Sequence, residues 1–212
     1  MIAIINYEAG NLTSVREALF KLGADVRVTQ NPQEILQAER VIIPGVGAAG
    51  SAFNSLKRLG LDVVIHQVVA RNTPVLGICL GSQIILSSSE ENNSPGLNIV
   101  PGQVRRLHLE NARSPEGWPL KVPHMGWNKI EWQRPHPVFE GLGSQHEFYF
   151  VHSYYLDPDN KDVVLGRTSY GHTFASVLAH NNLVAVQFHP EKSGNPGLKI
   201  LNNFLHWNGQ EN

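Results

Sequence analysis

Cysteine, histidine and glutamate together can run acyl transfer through a covalent thioester, and one residue of each type stands at a marked position in this chain. Cys79 is the one cysteine and lies in Gly77-Ile78-Cys79-Leu80-Gly81. An apolar run precedes it and a helix-forming pattern follows. Glycine two residues before and two after a nucleophile on a strand-to-helix turn is the nucleophile-elbow pattern, here with Cys in place of Ser. The turn forces a strained backbone on the nucleophile, and the flanking glycines let strand and helix meet with no side chain between them. Such an elbow sets the sulfur at a helix N-terminus, where the dipole favours thiolate. A lone cysteine is otherwise most often inert core; the flanking pattern argues against that here.

A thiol nucleophile needs a base, and the base needs a group to orient its ring. Gln187-Phe188-His189-Pro190-Glu191 supplies both, directly after a strand-like run. His189 and Glu191 are two apart and project toward one side. His189 is one of ten histidines, and singly would read as a ring satisfied by a local hydrogen bond. The tetrahedral oxyanion of such a reaction needs N–H donors. Leu80, next after the nucleophile, offers one, and Val46 or Gly47 in the Gly45-Val46-Gly47 loop offers another. Residues 45–50, Gly-Val-Gly-Ala-Ala-Gly, also match the dinucleotide pattern. They follow the third strand rather than the first, and residues 66–70 hold no acid where a ribose ligand is expected about 20 residues on. The oxyanion role suits them better, with a non-catalytic nucleotide-binding module as the rival reading.

Holding these groups together calls for strands alternating with helices. Residues 1–7, 24–29, 40–43 and 74–78 read as strands. Leu12, Val15, Leu19 and Leu22 recur at helical spacing up to Gly23, and 61–71 and 82–90 carry further helical patterns. That alternation makes a parallel sheet with ligand sites at the carboxyl ends of its strands. Later, 97–107, 148–155, 163–168, 174–179 and 183–188 read as extended, with a hairpin turn at Asn181-Asn182. Leu198, Leu201 and Leu205 share one face of a closing helix. The expected fold is α/β: an open, mostly parallel sheet flanked by helices, with antiparallel strands in the C-terminal half, in one domain over residues 1–212. Residues 110–120 are loop-like and 210–212 a frayed tail.

Composition narrows the class. A chain of 212 residues, 42% hydrophobic and 17% charged, fits a globular enzyme or binding protein. A net charge of −1 gives no basic excess for a nucleic-acid partner. One cysteine excludes an intrachain disulfide and cysteine-rich zinc sites. No run reaches the ~18 apolar residues of a membrane helix, and the start lacks a signal peptide's basic region. The expectation is a cytoplasmic protein with no membrane contact and no metal.

The chain resembles the class I, triad-type glutamine amidotransferases. The matching segments are Gly10-Asn11-Leu12-Thr13-Ser14-Val15, Pro44-Gly45-Val46-Gly47, the elbow with Gln83, Pro123-His124-Met125-Gly126-Trp127-Asn128, Tyr149-Phe150-Val151-His152-Ser153-Tyr154 and Gln187-Phe188-His189-Pro190-Glu191-Lys192-Ser193. The elbow and His-Pro-Glu mark the broad class. The His-Met-Gly-Trp-Asn and Phe-Val-His-Ser-Tyr segments resemble the glutaminase subunits of imidazole glycerol phosphate synthases, in histidine biosynthesis. The resemblance implies a triad of Cys79, His189 and Glu191 that hydrolyses L-glutamine without a cofactor, with Gln83, His152, Ser153 and Tyr154 holding the substrate. It implies a heterodimer with a (β/α)8-barrel synthase subunit that receives ammonia through an internal tunnel. Under it Asn11, Trp127, Asn128 and Lys192 fall on the partner face. From the residues alone, Trp127 and Asn128 read equally as a core aromatic and a turn residue. Ser82 departs from the family's usual Met, and Asn6 and Glu8 from its Asp and Gly. The same chemistry feeding a surface-sugar synthase is the nearest rival.

Overall fold

The computed structural model describes residues 1–110, 112–114 and 117–210. The early apolar runs become strands β1 (Ile2–Ile5), β2 (Val26–Thr29), β3 (Arg40–Ile43) and β4 (Val75–Ile78). Between and after them lie helices α1 (Leu12–Lys21), α2 (Pro32–Leu36), α3 (Ala49–Leu59), α4 (Leu61–Ala70) and α5 (Leu80–Ile84). The second half is mostly extended: β5 (Ser88–Ser89), β6 (Ser94–Pro95), β7 (Gly102–Arg106), β8 (His124–Lys129), β9 (Glu131–Trp132), β10 (Glu147–His152), β11 (Tyr154–Pro158), β12 (Val164–Tyr170), β13 (His172–His180) and β14 (Leu183–Val186). Helix α6 (Gly194–His206) closes the chain.

The main sheet runs β2-β1-β3-β4-β14-β13-β11-β7-β5-β6. Its first five strands are parallel. At β14 the direction reverses through the β13–β14 hairpin, where His180 pairs with Leu183 and Asn181 takes φ 53°. β12 and β9 continue from β13 off this path, and β8 and β10 form a separate antiparallel pair. The carboxyl ends of β1, β3, β4 and β14 therefore lie side by side, one strand spacing of about 4.8 Å apart.

Side-chain alternation along the parallel strands builds two cores. Ala3, Ile5, Val41, Ile43 and Val75 face α2, α3 and α4 through Ile35, Leu56, Leu61 and Ile65. Ile2, Ile4, Ile42, Leu76 and Ile78 face α1 and α6 through Val15, Leu19, Leu201 and Phe204. Helices cover both faces, as a mostly parallel sheet requires.

Three details differ from the sequence expectation. The helix expected over 82–90 is the single short α5, and the chain then turns into β5. Serine hydroxyls compete with helical bonding there: Ser87 Oγ donates to Asn98 Oδ1 at 2.5 Å, and Ser89 Oγ accepts from Glu91 N at 3.1 Å. The run 148–155 divides at Ser153 into β10 and β11, which belong to different sheets. Helices α2 and α3 go beyond the expectation, and α3 begins inside the glycine-rich segment 45–50. Residues 111, 115 and 116 of the loop-like stretch and 211–212 of the tail lie outside the described residues. Among the described residues no helix is long and apolar enough to cross a membrane.

Candidate active site

Cys79 sits between β4 and α5 at φ 52°, ψ −106°, a backbone shape that L-residues rarely adopt. The flanking glycines are needed for close approach. A Cβ on Gly81 would stand 1.7 Å from the Ile43 carbonyl oxygen, and one on Gly77 3.0 Å from that of Gly81. The side chain of Cys79 is buried against Gln187, whose Nε2 donates toward Sγ at 3.8 Å.

His189 follows β14, the strand beside β4, so the topology brings it next to the elbow. Its amide donates to Tyr149 O at 2.9 Å, and Ser193 Oγ donates to His189 O at 2.6 Å while accepting from Tyr149 N at 3.0 Å. These bonds pin the His189-Pro190-Glu191 turn to β10. His189 Nδ1 donates to Glu191 Oε1 at 2.7 Å, which leaves Nε2 for the Cys79 side. Nε2 and Glu191 Oε2 are buried and hydrogen-bond no described residue. Burial opposes charge on the ring, but Cys79 and Glu191 outweigh it and raise the His189 pKa to about 9. Asn11 Nδ2 also donates to Glu191 Oε1. Asn11, which the resemblance sets on a partner face, is thus turned onto the carboxylate.

The 44–47 loop follows β3 on the other side of the elbow. Tyr7, at the end of β1, donates its hydroxyl to Pro44 O at 2.5 Å. Burial first, and neighbouring Cys79 second, push the Tyr7 phenol far up. The Leu80 N–H, expected to serve an oxyanion, here donates to Gly45 O at 3.3 Å. Gly47, at φ 114°, has nothing within 4 Å of the position a Cβ would take.

A cavity of about 440 Å³ opens over Cys79, a size suited to a small molecule. Val46, Gly47, Leu80, Gln83, His152, Ser153, Tyr154 and Lys192 line it, together with Glu91, Pro123 and Val151. Glu91 carries no mark in the sequence. Its approach depends on α5 ending after one turn, which helical periodicity does not announce. Glu91 Oε2 accepts from Ala49 N, the first residue of α3, at 2.6 Å. A larger cleft, about 780 Å³ around residues 132–142, holds no nucleophile.

Both ring nitrogens of His152 are committed. Nδ1 donates to Tyr154 O at 2.7 Å, and Nε2 meets His124 Nδ1 at 3.0 Å. Burial, with His124 adding to it, lowers the His152 pKa to about 3; burial lowers that of His124 to about 4. Both rings are neutral at pH 7.

Strand β8 separates the expected interface pair. Met125 and Trp127 point outward, 61% and 54% exposed, opposite Val151 and Tyr149 of β10. Asn128 points the other way and hydrogen-bonds His124 and Ser169. Lys192 lies beside the outward face, its ammonium 6.0 Å from the Tyr149 ring centroid.

A cysteine on a strained elbow, facing a buried histidine–carboxylate pair at the carboxyl ends of parallel strands, defines a thiol amidase of α/β type. Comparison with known proteins agrees. The glutamine amidotransferase class-I family model matches residues 3–207. Imidazole glycerol phosphate synthase subunit HisH of Desulfovibrio desulfuricans is 50% identical, with 98% of this chain and 94% of that protein covered. The protein of the same name from Nitrosococcus oceani is 50% identical over 98% of both chains, and that of Moorella thermoacetica 49% over 96% and 93%. A solved glutamine amidotransferase shares the fold at TM-score 0.75, with 20% identity over 99% and 100% of the two chains. So does the glutaminase domain of a Trypanosoma brucei CTPS, at TM-score 0.62 and 14% identity over 97% and 93%. The chain belongs to the class I glutamine amidotransferases and, within them, to the imidazole glycerol phosphate synthase HisH subunits.

Proposed function

We propose that this chain is the glutaminase of a two-subunit imidazole glycerol phosphate synthase, working in the cytoplasm. Cys79 gives its thiol proton to His189 Nε2 and attacks the carboxamide carbon of glutamine; an S–C bond forms and the carbonyl oxygen takes the negative charge. The oxyanion collapses, the C–N bond breaks, and ammonia leaves with a proton from His189 Nε2. Water then gives a proton to His189 and attacks the thioester; the C–S bond breaks, releasing glutamate, and His189 returns the proton to the sulfur to restore the thiol. Glu191 holds the ring through Nδ1, and Asn11 holds Glu191.

The observation that carries this reading is the strained Cys79 next to a ring that Glu191 fixes at 2.7 Å. In the cavity, Gln83 and the 153–154 backbone hold the substrate. Glu91 is the carboxylate among the lining residues and suits the α-ammonium of glutamine. Val46 or Gly47 and Leu80 supply the oxyanion donors. Since Leu80 N–H is spent on Gly45 O, the loop must shift before that donor is free, and the isolated chain is nearly inactive. Losing one oxyanion donor lowers kcat by ~10²–10³.

The partner is a (β/α)8-barrel synthase subunit, docked on the outward face of β8 and β10 around Trp127 and beside Lys192. Ammonia passes to it without entering solvent. The test is glutamate release from glutamine by the chain alone, with the barrel synthase, and with synthase plus its nucleotide substrate. Stimulation by the liganded synthase is expected. Equal activity in all three states sinks the gating, and absence of activity in all three sinks the glutaminase reading.

A further inference from the structure

A chain of hydrogen bonds, partly exposed at its outer end and buried further in, runs from the inner side of β8 to the nucleophile. It begins at Asn128, whose amide orientation is fixed: Oδ1 accepts from Lys129 N at 2.8 Å and Nδ2 donates to Ser169 O at 3.0 Å. Its other Nδ2 proton points to His124 Nε2 at 3.3 Å. An amide nitrogen only donates, so Nε2 of a neutral His124 accepts and Nδ1 carries the proton. That proton goes to His152 Nε2 at 3.0 Å. His152 Nδ1 then donates to Tyr154 O at 2.7 Å, which agrees with the same direction, because a carbonyl only accepts.

Tyr154 O receives a second donor, Gln83 Nε2, at 3.1 Å. The same Gln83 nitrogen donates to Gln187 Oε1 at 3.1 Å, and Gln187 Nε2 donates toward Cys79 Sγ at 3.8 Å. Each donor and acceptor between Asn128 and the sulfur is thereby assigned. Gln187 is fully buried and His124 and His152 are 2% and 5% exposed, so water cannot replace a lost member without opening the core. His124 is also clamped by rings, stacked on Phe150 at 4.8 Å and on Tyr170 at 3.9 Å between centroids.

We propose that Asn128 and His124 are positioning residues for glutamine: they act through His152 on the Tyr154 carbonyl and, through the Gln83 amide that shares that carbonyl, on the cavity wall. Neither of the two lines the cavity. The inference rests on the glutaminase reading above. It assigns His152 a role in fixing the backbone of the substrate segment, since neither ring nitrogen is left for a ligand.

The test uses the full chain and a glutamine-analogue chloroketone that alkylates the nucleophile. It separates the half-saturation concentration from the maximal labelling rate, and iodoacetamide reports the intrinsic reactivity of the same thiol. His124→Phe keeps the stacked ring and removes the donor. Loss of one hydrogen bond corresponds to about a fivefold rise in half-saturation concentration, with the maximal rate and the iodoacetamide rate little changed. His124→Asn returns a donor near the Nδ1 position and restores tight labelling. An unchanged half-saturation concentration in a folded His124→Phe, or no rescue by His124→Asn, overturns the proposal. So does an equal loss in both reagents, which is the mark of a merely disrupted fold. If His124→Phe does not fold, Asn128→Ala at its partly exposed strand position decides, with a rise of about threefold expected for the weaker terminal bond and no rise overturning. Wild-type chain that is labelled at Cys79 neither alone nor with the liganded synthase defeats the glutaminase reading and this inference with it; labelled wild type with unaffected variants defeats the inference alone.

Discussion

Replacing Glu191 with Gln removes a charge from the pair that orients the base while keeping an oxygen that can accept from both His189 and Asn11. In the wild type, the ring's pKa of about 9 stands well above the ordinary value of about 6.5, and at ~1.36 kcal/mol per unit this favours the charged ring by roughly 3 kcal/mol. Burial works against that charge, so Cys79 and Glu191 supply more than the net. A charge-assisted hydrogen bond is about twice as strong as a neutral one, which sets the loss in Glu191→Gln at roughly 1–2 kcal/mol, or about one pKa unit. The assay is the titration of the His189 ring nitrogens by NMR, assigned by the signal lost in His189→Asn. The stability record follows from the sign of the shift. A histidine whose folded pKa is raised contributes stability fully present below about pH 6.5 and lost as pH rises through about 9. The stability deficit of Glu191→Gln against wild type is therefore largest near pH 6 and shrinks above pH 9. A His189 titration that does not move, or a deficit that grows with pH, refutes the electrostatic account of this pair.

Other substitutions test the frame around it. Cys79→Ala abolishes labelling by a glutamine-analogue electrophile while leaving the thermal unfolding transition in place. Gly81→Ala drives a methyl to 1.7 Å from Ile43 O; overpacking costs about 1–3 kcal/mol, and thermal melting should show it together with loss of labelling. Tyr7→Phe strips the buried Pro44 carbonyl of its donor, at a cost of about 1–3 kcal/mol read by denaturant unfolding. Trp127→Ala changes the stability of the chain by less than about 0.5 kcal/mol because the ring is exposed. It weakens binding of the barrel synthase by at least about tenfold in calorimetry if the ring anchors the interface; unchanged affinity removes Trp127 from it.

The groups legible in the sequence are those whose geometry is local. The elbow needs five consecutive residues and His189–Glu191 needs three, so spacing alone carries the shape. The strands of the parallel sheet were legible for a similar reason, since their apolar runs are continuous. What escaped was set by long-range pairing. Asn11 meets Glu191 across 180 positions, and Tyr7 meets Pro44 only because β1 and β3 are neighbours. Glu91 reaches the cavity because α5 stops at Ile84, and the serines that stop it resemble any polar helix surface. The hydrogen-bond chain behind the cavity needs the β8–β10 register that sets His124 opposite His152.

That register also explains why Trp127 and Asn128, adjacent and read together, part company. Successive residues of a strand face opposite sides. On β8 the outward side carries Met125 and Trp127, and the inward side carries His124 and Asn128. One strand thus offers an apolar face to solvent and, on its other side, the start of the hydrogen-bond chain that runs behind the cavity. A slip of one residue would exchange the two faces entirely. The aromatic inner residues Phe148 and Phe150 hold it in place, packing on Phe188 at 4.5 and 5.6 Å, one residue before the base. A force on the exposed side of β8 is borne by the same strand that holds His124. Under the docking proposed above, a synthase on Trp127 would bear on the strand that sets His124 opposite His152.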